Sequence, residues 1–379
     1  MKMHNRITAY IHMDAIEHNF REMKARLRDG VQMIAVIKTD GYGHGAIPIA
    51  QMMEPHDYIW GFAVATVSEA RQLRDAGIAK PILILGYTFP EDYEWMAANG
   101  IRPTLFTVEM AKAFAEKSRE TASVGRIPIH LAVDTGMSRI GVPDTSEGLR
   151  TALEIAGMDS LYVEGVFTHF ARADEKDKSS ARNQADRFAN FCDQLESNGI
   201  RGFKRHCSNS AGILELPEAN MDMVRAGITI YGIYPSDEMN REAVRLLPAM
   251  ELKSHIVYCK QIPAGTPVSY GGTFVSDREM EIATIPVGYG DGYPRSLSGK
   301  GCVLINGKRA QILGRVCMDQ FMVDVTGMKV KVLDEVTLMG RDGNEEITVD
   351  ELGKLSGRFP YEFVCDIGKR VPRVYSYGE

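Results

Sequence analysis

The sequence predicts an α/β protein: a (β/α)8 TIM barrel followed by a smaller, mainly β C-terminal domain. Three observations predict it. Short apolar runs recur at 33–37, 59–65, 81–86, 102–106, 127–133, 162–168, 203–207 and 223–230. Helical patterns at 67–76, 108–118, 147–156 and 183–198 fall between them, and strands alternating with helices imply a parallel sheet. Eight strands within about 230 residues fit a closed barrel better than an open doubly wound sheet. Near Pro248 the rhythm gives way to short strands with turn signals, so domains are expected at 1–240 and 241–379.

The first helix is expected over 13–27, with Asp14 as N-cap and Ile16, Phe20, Met23 and Leu27 at helical spacing. The first barrel strand ends at Lys38. A turn follows in which Gly41, Gly43 and Gly45 alternate with Tyr42 and His44. A lysine at the mouth of a buried strand is partly desolvated, which frees its amine to form a Schiff base. Taken alone, a lysine in that place is more often a solvated edge residue. The glycine spacing matches neither the dinucleotide fingerprint nor the P-loop. A further helix is expected over 47–53. In the C-terminal part, strands are expected at 252–259, 280–287, 301–305, 309–314, 322–324 and 335–339, with a helix near 349–355. Asn306-Gly307 and Asp342-Gly343 mark turns between them.

Composition narrows the function classes. The apolar and charged fractions, 44% and 25%, are those of an ordinary globular protein. The net charge of -6 is spread without long runs, which disfavours nucleic acid or an anionic membrane as partner. No stretch has the length and apolarity of a transmembrane helix, and the opening segment lacks a signal-peptide core. Six cysteines without a Cys-x-x-Cys pair suggest free thiols in a reducing cytoplasm. No metal site is expected.

In such barrels the working residues sit at the carboxyl ends of the strands. Lys38 ends the first strand, Arg139 lies in the loop after the fifth, and His169 ends the sixth. Ser210 follows the seventh, and the eighth carries Arg225, Gly227 and Ile228. Each has a duller reading: a surface ion pair for Arg139, a structural histidine for His169, a helix cap for Ser210. Arg225 is harder to dismiss, because an arginine within an apolar strand needs a buried partner. An amine nucleophile, a planar pocket and a phosphate cradle after strands seven and eight together point to pyridoxal phosphate.

Ala-Val-Ile-Lys-Thr-Asp-Gly-Tyr-Gly-His-Gly (35–45) closely resembles the cofactor-lysine motif of bacterial alanine racemases, fold-type III enzymes. So do Val-Asp-Thr-Gly-Met-Ser-Arg-Ile-Gly (133–141), Val-Ser-Tyr-Gly (268–271) and Val-Gly-Tyr-Gly-Asp-Gly (287–292). Leu-Gly-Arg-Val-Cys-Met-Asp-Gln (313–320) and Arg-Val-Pro-Arg (370–373) complete the series, in order, along nearly the whole chain. The resemblance implies a cytoplasmic racemase that interconverts L- and D-alanine by a two-base mechanism and supplies D-alanine for peptidoglycan. By the same resemblance Lys38 holds pyridoxal 5'-phosphate and serves as one base, with Tyr270 as the opposing one. Arg225 contacts the pyridine nitrogen, supported by His169, while Tyr42, Ser210, Gly227 and Ile228 hold the phosphate. Arg139, Met318 and Tyr289 bind the substrate carboxylate and line the entrance. Tyr270, Tyr289 and Met318 are expected from the second subunit of a homodimer with composite sites.

Two departures from the family pattern bear on substrate choice. A lysine that many members carry seven residues before the loop arginine is Ala132 here, and a tyrosine found in some members before Arg-Val-Pro-Arg is Lys369. The alternative is therefore a serine or broad-specificity amino-acid racemase. A decarboxylase of the same two-domain plan is disfavoured by Arg139 and the Tyr270 motif, and a barrel-only cofactor carrier by the C-terminal domain.

Overall fold

The computed structural model describes residues 5–122 and 125–378. The chain divides into two compact units. One comprises Glu17–Gly41 and Gly45–Leu247; the other comprises Tyr42–His44 and the described parts of Met1–Ile16 and Pro248–Glu379.

The first unit is the barrel. Its strands are β1 (Gln32–Val36), β2 (Ile59–Val64), β3 (Ile82–Ile84), β4 (Ile101–Arg102 and Thr104–Leu105), β5 (Ile127–Asp134), β6 (Leu161–Phe167), β7 (Lys204–His206) and β8 (Met223–Ala226). Each pairs in parallel with its neighbour, from β8 on β1 (Arg225 opposite Ile34) to β6 on β7 (Phe167 opposite His206). The ring closes between β7 and β8, where Asp222 N–H donates to Arg205 O at 3.1 Å and Arg225 N–H to Ser208 O at 2.9 Å. Pro103 splits β4 because it has no N–H to give. Its carbonyl still accepts His130 N–H at 3.0 Å, so the wall stays continuous.

Apart from β7, whose Lys204 is exposed, the strands are largely buried, as parallel strands covered by helices must be. The covering helices begin at side-chain caps: Thr66 for Val67–Asp75, Thr107 for Val108–Lys117 and Thr145 for Ser146–Ala156. Each of these threonines accepts a backbone N–H that the helix itself cannot satisfy. The expected strand over 223–230 is shorter, since Ile228–Tyr231 coils into a 3-10 turn after Gly227.

The second unit is a mainly β structure. Its sheet runs Tyr258–Ile262, Met280–Ile285, Phe321–Asp324, Lys308–Leu313, Cys302–Ile305, Glu335–Asp342, Met250–His255, Ile7–His12, Arg373–Ser376. Two expectations are corrected, and one element is new. Residues 252–259 form not one strand but parts of two, broken after His255. Pro360–Cys365 is a helix that no pattern announced. Ile7–His12, placed with the barrel on sequence, is a strand of this sheet, antiparallel to Met250–His255 with Ala9 opposite Leu252. Such a partner lies too far along the chain for any local periodicity to reveal. The Asn306-Gly307 signal performs as its chemistry requires: both residues have positive φ, 52° and 71°, and Ile305 pairs with Lys308 across a two-residue hairpin.

Candidate active site

Immediately after Lys38 the backbone turns left-handed for four residues, with φ of 54° at Thr39, 50° at Asp40, 61° at Gly41 and 50° at Tyr42. For side-chain-bearing residues this costs roughly 1–2 kcal/mol each, so neighbouring bonds must impose it. Glu69 Oε1 accepts Thr39 N–H at 2.5 Å, while its Oε2 accepts Ala65 and Thr66 N–H at 2.8 and 3.1 Å. One carboxylate thus ties the ends of β1 and β2 together and fixes where Lys38 leaves the barrel. Asp40 Oδ1 accepts Ala46 N–H at 2.9 Å and closes the turn from the other side.

Arg225 is 3% exposed, and its guanidinium is held almost entirely by neutral groups. Nη1 donates to His206 Nδ1 at 2.9 Å and to His206 O at 2.7 Å. Nη2 donates to Thr168 O at 2.6 Å and Cys207 O at 3.0 Å, and reaches His169 Nδ1 only at 3.5 Å. Among the described residues Nε–H has no acceptor, so it is the guanidinium donor left for a ligand. Burial, with the Arg139 charge adding to it, lowers the guanidinium to about 10, which leaves it protonated at neutral pH. Burial and the charges of Arg225, Arg139 and Lys38 push His169 down to about 3, so this imidazole is neutral. Lys38 follows β1 and Arg225 lies on β8, which pairs with β1; His169 follows β6 and Arg139 stands on the loop after β5.

Ser210 opens the short helix Ser210–Glu215, and its Oγ accepts Gly227 N–H at 3.0 Å and lies 2.9 Å from Thr229 Oγ1. The ends of β7 and β8 are thereby joined beside Ile228, with Ser208 Oγ buried nearby in the chain and, among the described residues, without a hydrogen-bond partner. Arg139 is exposed on a loop that Asp134 shapes: its Oδ1 accepts Gly136 and Ser138 N–H at 2.9 and 3.0 Å. The donor set of this unit fits a flat, anionic cofactor: an amine, an unengaged guanidinium N–H and a hydroxyl at strand ends.

Tyr42, Tyr270, Tyr289 and Met318 belong to the other unit. Tyr42 is buried, with its ring 6.2 Å from that of Tyr361, and burial raises its phenol well above the ordinary value. The other three project from interlocked loops. Tyr289 N–H donates to Cys317 O at 3.1 Å, Gly290 N–H to Met318 O at 2.9 Å, and Ser269, next to Tyr270, gives its hydroxyl to Arg315 O at 2.6 Å. Beneath them lies Asp291, fully buried. Its Oδ2 accepts Gly288 N–H at 2.9 Å and its Oδ1 pairs with Arg370 Nε at 2.8 Å. Arg370 also meets Asp319 at 2.7 Å, while Arg373 donates to the carbonyls of Ile367, Gly368, Val371 and Gly43. The Arg-Val-Pro-Arg motif therefore braces this surface.

Sequence reasoning missed His206, the nearest side chain to Arg225, and behind it His130 and Glu164. A signal was available: polar residues inside the apolar runs of β5, β6 and β7 must answer to something inside the barrel.

Among the described residues no helix is long and apolar enough to cross a membrane. Residues 11–235 match the family described as alanine racemase, N-terminal domain, and residues 249–375 the one described as alanine racemase, C-terminal domain. An alanine racemase of Desulforamulus reducens is 45% identical over 97% of this chain and 98% of its own. One from Methanococcus maripaludis is 40% identical over 97% of this chain and 98% of its own. Of solved structures, the alanine racemase of Clostridium difficile 630 superposes with a TM-score of 0.93 at 37% identity, covering 99% of this chain and 97% of that one. The same enzyme in complex with cycloserine gives 0.92 at 36% identity, with 99% and 97% covered. With both family domains matched and identity of this order along both units, the chain belongs to the alanine racemase family.

Proposed function

We propose that this protein is a cytoplasmic, pyridoxal-phosphate-dependent racemase that interconverts L- and D-alanine and so supplies D-alanine for peptidoglycan. The observation that carries the reading is that Lys38 follows β1 while Arg225 lies on β8, the strand paired with β1, its guanidinium keeping one N–H unengaged among the described residues. Bound pyridoxal phosphate supplies the electron sink that stabilises negative charge at the substrate α-carbon.

The chain's own groups do the rest. Lys38 attaches the cofactor and moves the α-proton on one face. Arg225 donates to the ring nitrogen; being a donor only, it keeps that nitrogen unprotonated. His169 backs Arg225, and Tyr42, Ser210, Gly227 and Ile228 hold the phosphate. Arg139 takes the substrate carboxylate, with the partner subunit's Met318 and Tyr289 at the entrance. The partner subunit's Tyr270 serves the opposite face, which makes the active species a homodimer. Exposure of 70% at Tyr270, 53% at Met318 and 43% at Tyr289 supports this, since large side chains displayed together on braced loops are suited to being covered.

A serine or broad-specificity racemase is the second reading. It is favoured by Ala132 and by Arg139, which has no ion-pair or hydrogen-bond partner among the described residues to set its pose. The test is a panel of L-amino acids with added cofactor, followed by loss of optical rotation. L-Alanine should lose rotation fastest. Faster loss with L-serine would favour the second reading, and carbon dioxide release without racemisation would overturn both.

A further inference from the structure

The loop that carries Tyr270 is held in a conformation that its residues do not favour. Ser269, the residue before it, has φ of 64° and ψ of -177°. That corner of backbone space suits glycine and is strained for any residue with a Cβ. Thr39 and Asp40 also have positive φ, but with ψ of 48° and 52° they lie in the ordinary left-handed region.

The Ser269 hydroxyl supplies the restraint. Its Oγ–H donates to Arg315 O at 2.6 Å, across 46 residues of chain. Cys317 Sγ lies 3.4 Å from Ser269 Oγ and 3.6 Å from Arg315 O. The facing backbone is cleared for this contact. A Cβ on Gly314 would stand 3.0 Å from Ser269 Cβ and 2.5 Å from Val268 O.

The rest of the loop offers little else to hold Tyr270. Val268, on the upstream side, is buried and pairs with Phe274 across the loop. Downstream come Gly271 and Gly272, with φ of 74° and 54° and no side chains to grip a neighbour. Gly272 N–H donates to Ser269 O at 3.1 Å, so the turn closes back on the same serine. Tyr270 itself is 70% exposed. The anchor also sets register. Cys317 O accepts Tyr289 N–H at 3.1 Å and Met318 O accepts Gly290 N–H at 2.9 Å. One hydroxyl therefore ties the Tyr270 loop to the segment that carries Met318 and meets Tyr289.

We propose that Ser269 is a positioning residue: its hydroxyl, bonded to Arg315 O, holds the strained turn that aims Tyr270. That Tyr270 moves a proton rests on the proposed function; that Ser269 holds the turn does not.

Two variants of the full-length protein separate the anchor from the strain. Ser269→Gly removes the hydroxyl and relieves the backbone, whereas Ser269→Ala removes the hydroxyl and keeps the strain. Amide hydrogen exchange within 268–275, read by mass spectrometry, reports the turn, and denaturant midpoints report the fold. Exchange there should quicken about tenfold in both variants, the worth of one hydrogen bond. The midpoint should hold or rise in Ser269→Gly and fall in Ser269→Ala. With pyridoxal phosphate added, kcat for alanine should fall about 10²-fold in both, as a misplacement of about 1 Å can cause, with KM little changed. Exchange of the α-proton should slow for L-alanine and not for D-alanine.

A serine that matters only to the fold gives the opposite result: Ser269→Gly, freed of strain, keeps its kcat, and that outcome overturns the proposal. Unchanged amide exchange within 268–275 in Ser269→Gly overturns it equally. Should Ser269→Ala fail to fold, the glycine variant carries the test alone. If Tyr270→Phe racemises at the wild-type rate, the proposed function has failed, while the amide exchange still decides whether Ser269 holds the turn.

Discussion

Nη1 of Arg225 stands 2.9 Å from Nδ1 of His206, and this buried cation meets imidazoles and carbonyls but, among the described residues, no carboxylate. A fixed positive charge among neutral rings determines how the fold responds to acid. His169 is lowered to about 3 and His206 well below its ordinary value, so each refuses a proton that the unfolded chain accepts near 6.5. Their contribution to stability is therefore complete above about pH 6.5 and is lost as pH falls toward 3, at up to about 1.4 kcal/mol per pH unit for each group. Glu164, lowered from 4.5 to about 2, adds a second loss in that lower window. The urea midpoint of the cofactor-free protein should drop between about pH 7 and about pH 4.5, and His169→Gln should reduce the drop. An equal drop in the variant would mean that His169 titrates freely.

Lys38 is the expected attachment point for the cofactor, at the end of β1 where Glu69 clamps the following turn. Protein incubated with pyridoxal phosphate and reduced with borohydride should yield one labelled peptide, containing Lys38. Label on any other lysine would undo the assignment. Glu69→Gln should lower the yield by weakening the clamp on the Thr39 N–H, a charge-assisted bond whose loss costs about 1.5–3 kcal/mol.

Much of this architecture is legible in the sequence, and the illegible part has a common cause. Most of the barrel strands announce themselves as buried apolar runs between helices, whereas β7, Lys204–His206, shows only through the buried Phe203 and Cys207 that flank it. Lys38, Arg139, His169, Ser210 and Arg225 are legible as polar interruptions at the ends of such runs. Ile7–His12 is not, because its partners, Met250–His255 and Arg373–Ser376, stand at the other end of the chain. His130, Glu164 and His206 are harder to read for a related reason: each shows in its own strand only as a polar interruption, and only closure of the barrel brings them together. The left-handed turn at Thr39 and Asp40 is hidden too, since a β-branched threonine disfavours positive φ and an aspartate tolerates it without requiring it.

If the partner subunit's Tyr270 completes the site around Lys38, two inactive variants should rescue each other. Lys38→Ala retains its own Tyr270, and Tyr270→Phe retains its own Lys38. In a heterodimer one of the two sites receives both native groups. With random reassortment, half of the dimers are mixed and each has one intact site, so roughly a quarter of wild-type specific activity should return. Continued inactivity after subunit exchange has been demonstrated by mass would place both groups in one chain or remove Tyr270 from the chemistry.

The most discriminating prediction concerns Tyr270 itself. Its side chain is 70% exposed on a loop anchored by the Ser269 hydroxyl to Arg315 O at 2.6 Å, so its replacement should leave the fold of that unit intact. Tyr270→Phe keeps the ring and removes only the oxygen able to carry a proton. Racemisation requires a proton to leave one face of the α-carbon and return on the other; a single base on one face returns the proton it took. Losing a true proton-transfer group should therefore cost about 10²–10⁴-fold in racemisation, with unfolding midpoints unchanged. Exchange of the α-proton with deuterated water separates the two faces. With Lys38 alone remaining, one enantiomer of alanine, the D form on the proposed assignment, should still exchange, while the L form should not. Equal exchange of both enantiomers by Tyr270→Phe would show that the oxygen is not the second base, whatever the fall in rate.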